Sequence, residues 1–144
     1  ITSASFSNKT APSTTAPAGT LAPFWDDLYL GTTSATTGVY WQQLDPDATP
    51  MTGDEVTIVS WESVEPLSDD GSNYNFQVKF FANGDIEYHY GTMTGVLEAD
   101  RPLGSSATTW LELPNGRAAV TVNVESTNNP GIAPSSAWRF TYTP

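Results

Sequence analysis

The sequence has no cysteine and few basic residues, and each shortage narrows the range of possible functions. Without cysteine, the 144-residue chain has no disulfide, no zinc–thiolate site and no thiol nucleophile. Five basic residues against sixteen acidic ones give a net charge of −11. Such a surface repels phosphate backbones and anionic lipid, so we expect no nucleic-acid partner and no membrane insertion. It attracts cations, and Ca²⁺ is the cofactor to consider first.

Helical patterns and long apolar runs are also nearly absent. No window repeats apolar residues at helical spacing over three turns, and 11 prolines and 11 glycines interrupt the chain. No stretch approaches the roughly 18 to 20 consecutive apolar residues of a membrane span. With 38% hydrophobic and 12% aromatic residues, the composition is typical of one folded domain and not of a disordered chain.

The sequence does contain many strand signals. Short segments rich in β-branched and aromatic residues alternate with clusters of Asp, Asn, Gly and Pro. The predicted strands are 38–44, 54–64, 74–82, 85–91, 108–113, 117–125 and 136–143. This pattern predicts an all-β fold, a mostly antiparallel β-sandwich in a single domain. Residues 1–20 are polar and proline-rich, and we predict an extended N-terminal segment there, with the sandwich domain over 21–144.

One hairpin can be predicted in register. A three-residue loop, Ala82 to Gly84 with Gly84 left-handed, puts the apolar residues of both strands on one face. The predicted pairs on that face are Phe80 with Ile86, Val78 with Tyr88, and Phe76 with Tyr90. On the other face, Lys79 lies opposite Glu87, as its expected ion-pair partner, and His89 lies opposite Gln77. We therefore interpret this single histidine as a solvated cross-strand partner and not as a catalytic base.

Two further strands differ in their pattern. The segment 54–64 has apolar residues on both faces, which predicts a central strand covered on each side. In 117–125 the valines alternate with Ala119, Thr121 and Asn123. We predict that the valines point inward and that Asn123 points outward.

The segment "APFWDD" raises the main question about chemistry. Phe24 and Trp25 are expected to anchor it in the core, and Asp26 and Asp27 then follow a short strand. The favoured interpretation is that these carboxylates accept backbone N–H bonds and hold a turn. Calcium coordination and catalysis are the alternatives.

Other acidic loops are candidate calcium ligands. They contribute Asp45 and Asp47 in one loop and Asp69, Asp70 and Asn73 in another. The second begins like a calcium loop, but Phe80 stands where the closing glutamate of an EF-hand would be needed.

Aromatic residues are the candidates for ligand binding. Tyr29, Tyr40, Trp41 and Trp110 could supply stacking surfaces for a glycan or a protein, whereas Trp25 and Trp61 are expected in the core. For catalysis we assign no residue. Glu62 and Glu87 are the one pair worth considering for a glycosidase, because that mechanism requires two carboxylates.

Five blocks occur in an order that resembles the nidogen-like extracellular module and bacterial surface or secreted relatives with an "APFWDDL" block. They are Ala22–Asp27, Val39–Trp41, Trp61–Val64, Phe76–Val78 and Ile86–Gly91, and "SSAWRFTY" resembles the last strand of that family. The resemblance implies an extracellular β-sandwich used in adhesion, without catalytic residues.

These observations combine into one expectation about function. We expect a non-catalytic, bacterial, extracellular binding module that contacts proteins or glycans, with Ca²⁺ as an optional structural ion. A carbohydrate-binding module is the second interpretation and a secreted glycoside hydrolase the third. The family has further strands upstream of the "APFWDDL" block. A segment removed from upstream, or a neighbouring chain, could therefore add a strand to an open sheet edge.

Overall fold

The computed structural model describes residues 8, 11–12, 18–31, 34–69, 71–97, 99, 101–114, 118–123 and 131–143. These residues form nine strands and one short 3-10 turn at Arg101–Leu103. The strands are β1 (Leu21–Trp25), β2 (Leu28–Tyr29), β3 (Gly38–Leu44), β4 (Val56–Pro66), β5 (Asn73–Phe81), β6 (Ile86–Thr94), β7 (Thr108–Glu112), β8 (Ala119–Asn123) and β9 (Ser136–Phe140).

The strands form two antiparallel sheets, which confirms the predicted β-sandwich. The small sheet has the order β1-β7-β8. In the large sheet β2 and β3 share one edge of β4, and β5, β6 and β9 follow on its other side. None of the residues that the structure describes forms a helix with the length and apolar character needed to cross a membrane.

The core lies between the two sheets. On the large sheet it is built by alternate residues of β5 and β6, among them Phe76, Val78, Tyr88 and Tyr90. The small sheet contributes Phe24, which packs against the ring of Phe76 with centroids 5.7 Å apart. Two buried tyrosine hydroxyls tie the sheets together: Tyr88 donates to the carbonyl of Trp110 and Tyr90 to the carbonyl of Pro23.

The predicted hairpin register is confirmed. All five predicted pairs between β5 and β6 occur, and the loop spans Ala82 to Gly84 between Phe81 and Asp85. Gly84 has a φ of +90°, in the left-handed region.

Two predictions about individual strands, β4 and β8, need correction. β4 is central in the sheet, because it pairs with β3 and β5, but its residues 56–63 are only half-buried. The small sheet has three described strands and the large sheet has six, so the small sheet does not extend over β3. In β8 the predicted faces are wrong at two positions. Asn123 is buried because its side chain bonds the backbone at Gly104, Ala107 and Gly131, and Val120 is 53% exposed.

Candidate functional site

The Asp26–Asp27 pair lies at the turn between β1 and β2. One oxygen of Asp26 accepts the N–H of Asp27 at 2.8 Å and the other accepts the hydroxyl of Ser106 at 2.6 Å. The carbonyl of Asp27 accepts the N–H of Leu67 at 2.7 Å. Burial raises the pKa of Asp26, although the hydrogen bond from Ser106 acts in the opposite direction. The carboxylate of Asp26 therefore holds this turn to the loop of Ser106, as the turn interpretation expects, whereas one carboxylate oxygen of Asp27 is shielded and has no hydrogen-bond partner.

The acidic loops differ in what they bring together. Asp69 is buried and accepts the N–H of Leu97, and Asn73 bonds the side chain of Asn75. Asp70 lies outside the described residues. Asp45 and Asp47 converge with Asp54, which sequence reasoning missed, and carboxylate oxygens of all three lie within 4.8 Å of one another.

The loop that carries this cluster, residues 45–55, is held by its own side chains. Glu55 accepts the N–H groups of Thr52 and Gly53, and its own backbone N–H together with these lowers its pKa. Asp47 accepts the N–H of Thr49. One oxygen of Asp45 is shielded from solvent and has no hydrogen-bond partner. Asp45 is therefore the member of the cluster with a shielded oxygen that lacks a partner.

The four candidate rings are in very different environments. Trp110 is fully buried and stacks on Trp25 with centroids 5.7 Å apart, so it presents no surface to a ligand. Tyr29 is half-buried and its hydroxyl bonds Glu65 at 3.1 Å. Tyr40 is 50% exposed and Trp41 is 75% exposed. Of the four, only Tyr40 and Trp41 lie largely in solvent, and both belong to β3.

The exposure of Trp41 follows from how rows of paired residues cross the large sheet. Directly paired residues share a face. One such row is Trp41, Val59, Val78, Tyr88 and Trp138. Its middle members, Val78 and Tyr88, are buried, whereas the tryptophans at its two ends are exposed. The face that forms the core therefore continues into solvent at β3.

The neighbouring row extends this exposed surface. Val39 is paired with Trp61, whose ring stacks on Phe76 with centroids 4.9 Å apart, and Val39 is 53% exposed. On the opposite face of β3, Tyr40 and Leu44 are exposed as well. We call the residues Val39, Tyr40, Trp41 and Leu44 the β3 surface.

Among the strands that the structure describes, β3 is also an open edge. It pairs with β4 on one side, and all six residues from Val39 to Leu44 are exposed. Its sequence, GVYWQQL, contains no charge and no proline, the usual devices that prevent an edge from pairing with another chain. The opposite edge, β9, carries such a charge: Arg139 pairs with Asp85 at 2.6 Å and with Glu87 at 3.2 Å.

A groove of about 780 Å³ adjoins the end of β3. Its lining includes Gln43, Thr57 and Phe80, which are paired in register across the sheet and lie on the core face. Its rim includes Asp45 and Glu55. Carboxylates in the lining of a groove suit a basic side chain.

The outer face of the large sheet carries the residues considered for catalysis. The ring of His89 lies 2.6 Å from Glu87, whose other oxygen binds Arg139. The predicted ion pair of Glu87 with Lys79 is therefore wrong: the two are opposite in register, but β9 brings Arg139 to the carboxylate. A polar groove of about 500 Å³ lies beside them, lined in part by Glu62 and Gln77.

Comparison with known proteins adds one match. A family model described as "NIDO related" matches residues 1–144. No curated protein and no solved structure matches the chain.

Proposed function

The chain belongs to the NIDO-related family, and from that premise we propose that it is a non-catalytic binding module of a bacterial surface or secreted protein. The family supports an extracellular binding role. Adhesion to another protein is the finer part of the proposal. The single observation that carries it is the β3 surface, an uncharged edge strand with exposed rings.

Exposed aromatic and aliphatic side chains of this kind are typical of interaction sites. Aromatic residues are enriched at protein interfaces, because they bury a large area with few rotatable bonds. Trp41, Tyr40 and Val39 are each at least half exposed and lie on consecutive positions of one strand. We therefore place the contact with the partner there.

The non-catalytic part of the proposal rests on how the carboxylates are used. Asp26 holds the loop that contains Ser106, and Glu87 is shared between His89 and Arg139. Groups with such structural partners are poorly placed for a two-carboxylate mechanism. A secreted glycoside hydrolase is therefore only the third interpretation.

Photo-crosslinking tests the proposed contact. We would place a photoreactive phenylalanine analogue at Trp41, with a control at Leu97, which is 70% exposed on a different part of the molecule. Each variant is irradiated with the surface and secreted proteins of the producing organism. The proposal expects discrete protein adducts from Trp41 and not from Leu97. Equal labelling from both positions, or none, would overturn it.

A carbohydrate-binding module is the second interpretation. Tyr40 and Trp41 are adjacent in the strand and so point to opposite faces, which prevents the two rings from forming one flat platform. A glycan array with the wild-type chain and Trp41→Ala decides between the interpretations. Glycan binding that disappears in the variant, without protein adducts at Trp41, would replace adhesion to a protein by sugar recognition.

We also propose a structural Ca²⁺ in the loop 45–55. Its ligands would be Asp45, Asp47 and Asp54, whose carboxylate oxygens lie within 4.8 Å of one another, which favours this loop over the one at Asp69. Titration of the metal-free chain with CaCl₂, followed by calorimetry, tests this. Heat of binding that is lost in Asp54→Asn supports the ion, and no heat in the wild-type chain excludes it.

A further inference from the structure

The edge of β3 suggests how a partner would bind. We propose that β3 accepts an antiparallel strand from an extended segment of another protein, and that this strand places a lysine or arginine over the groove beside Asp45. This inference rests on the proposed binding function and adds to it the binding mode and the chemistry of the partner.

Strand addition suits this edge for three reasons. The residues Val39 to Leu44 are exposed without interruption, so neither face of β3 is blocked. β3 contains no charge or proline that would oppose pairing. All strand pairs described in the large sheet are antiparallel, so a new strand that runs antiparallel to β3 continues the pattern.

The faces of β3 determine which partner residues matter. A residue paired with a residue of β3 lies on the same face. Opposite Val39 and Trp41, the partner's side chains would extend the apolar face that continues from the core. Opposite Gln43, a side chain would lie on the face where Gln43 lines the groove, close to the acidic loop that begins at Asp45.

Charge determines the residue opposite Gln43. The groove's rim carries Asp45 and Glu55, and the neighbouring Asp47 and Asp54 add to the negative potential. The carboxylate of Glu55 is occupied by backbone N–H groups, whereas Asp45 directly follows Leu44, the last residue of β3. A basic side chain opposite Gln43 would lie beside this acidic loop and be attracted by its carboxylates.

A second copy of this chain is a poorer occupant. Each copy carries a net charge of −11, and β3 itself has no basic residue to place opposite Gln43. The partner strand, read from its amino end, should therefore have a basic residue, then apolar residues two and four positions later.

The probe is the capped peptide Thr-Lys-Thr-Val-Thr-Ile-Thr, labelled with a fluorophore and titrated with the intact chain in low salt with EDTA, so that no Ca²⁺ neutralises the acidic loop. Three control peptides are used: one with glutamate for lysine, one with the reversed sequence, and one with proline for both the central valine and the threonine before it, so that one of the two prolines removes an N–H directed at β3. We expect the glutamate and reversed peptides to bind at least tenfold more weakly, and the proline peptide not to bind. Equal affinity for all four would overturn the inference.

Variants of the chain locate the contact. Asp45→Asn should reduce the preference for lysine over glutamate, whereas Glu62→Gln, which removes the same charge on the outer face, should leave it unchanged. A preference that persists in Asp45→Asn would contradict the assigned contact.

Gln42→Pro and Gln43→Pro test the use of the backbone. Neighbouring N–H groups of a strand point in opposite directions, so one proline removes a bond to β4 and the other an edge N–H. The variant that keeps its melting temperature should lose peptide binding. If it binds normally, strand addition is excluded.

The outcomes separate this inference from the proposed function. Protein adducts at Trp41 together with no peptide preference would leave the binding function standing and refute strand addition. Self-association of the free chain in sedimentation, abolished by Trp41→Ala, would also refute the inference, since the occupant would then be a second copy.

Discussion

The carboxylates of this chain divide into those whose oxygens hold loops and those with an oxygen that has no hydrogen-bond partner. Asp26, Asp85 and Glu55 each accept two or more hydrogen bonds from groups outside their own side chain. Asp45 keeps an oxygen without one. A sequence of sixteen acidic residues does not distinguish these roles, because the partner groups come from distant segments.

Substitution of Asp26 separates its hydrogen bonds from its charge. Because its pKa is raised by burial, its charge weakens the fold increasingly as the pH rises above the ordinary value of 3.8. Asp26→Asn keeps hydrogen-bonding atoms and should be as stable as the wild-type chain, or more stable, at pH 7. Asp26→Ala should lose about 1–3 kcal/mol, because the N–H of Asp27 and the hydroxyl of Ser106 lose their acceptor.

Urea unfolding of the wild-type chain, Asp26→Asn and Asp26→Ala at pH 7 and pH 3 measures these differences in stability. Any additional stability of Asp26→Asn over the wild-type chain at pH 7 should vanish at pH 3, where the wild-type carboxyl is protonated. A variant Asp26→Asn as unstable as Asp26→Ala would show that the charge, and not the acceptor geometry, holds the turn.

Asp85 should show the opposite pH dependence. The guanidinium of Arg139 and the N–H of Tyr142 hold the pKa of Asp85 below its usual 3.8. A lowered pKa contributes stability that is present above pH 3.8 and is lost as the pH falls through the lowered value. Asp85→Asn should therefore be less stable than the wild-type chain at pH 7, and the difference should close in acid.

Acid titration followed by circular dichroism measures this difference, with Glu62→Gln as the control. Glu62 forms no ion pair within the described part of the chain, so its variant should keep the wild-type acid midpoint. If Asp85→Asn also kept that midpoint, the ion pair with Arg139 would contribute nothing to acid stability.

The strands illustrate what can be predicted from a sequence and what cannot. The β5–β6 hairpin was predictable because one register alone puts Phe76, Val78 and Phe80 on the same face as the apolar residues of β6. The faces of β8 were not predictable. Asn123 is buried by bonds to the backbone of distant loops, and no alternation of residue types encodes such bonds.

Two glycines, Gly84 in the β5–β6 hairpin and Gly53 in the loop 45–55, test whether these loops need a left-handed residue. Gly84 has a φ of +90°, and a Cβ there would lie 3.2 Å from the Tyr142 side chain. Gly53 has a φ of +93° with no atom within 4 Å of a Cβ. Both Gly84→Ala and Gly53→Ala should lose about 1–2 kcal/mol from left-handed backbone strain, and Gly84→Ala should lose more.

Thermal unfolding of the two variants measures this. The additional loss in Gly84→Ala reports the contact with Tyr142. Unchanged melting temperatures in both would mean that neither loop needs a left-handed residue.

Across the whole molecule, the mismatch between the two sheets produces the candidate site. The small sheet has three described strands and the large sheet has six. The apolar row from Trp41 to Trp138 is therefore buried in its middle and exposed at its two ends. The sequence marked Tyr40 and Trp41 as candidates, but it could not separate them from Trp110, which has a similar strand context. Which ring is covered depends on where the smaller sheet ends.

The acidic rim of the groove was only half predictable for the same reason. Asp45 and Asp47 are close in sequence, whereas Asp54 joins them through the path of the loop, in which Ala48, Met51 and Gly53 have positive φ. Proximity of this kind depends on backbone conformations that residue types alone do not specify.

Hydrogen–deuterium exchange of the free chain, and of the chain with the peptide Thr-Lys-Thr-Val-Thr-Ile-Thr, tests most directly whether β3 is the open edge that receives a strand. In the free chain, the amides of Gly38–Leu44 should exchange faster than those of β5 and β6, which are paired on both sides. With the peptide, about half of the β3 amides should slow, because alternate N–H groups point away from β4, while β9 stays unchanged. Unaltered exchange in β3, with protection appearing elsewhere, would contradict the account.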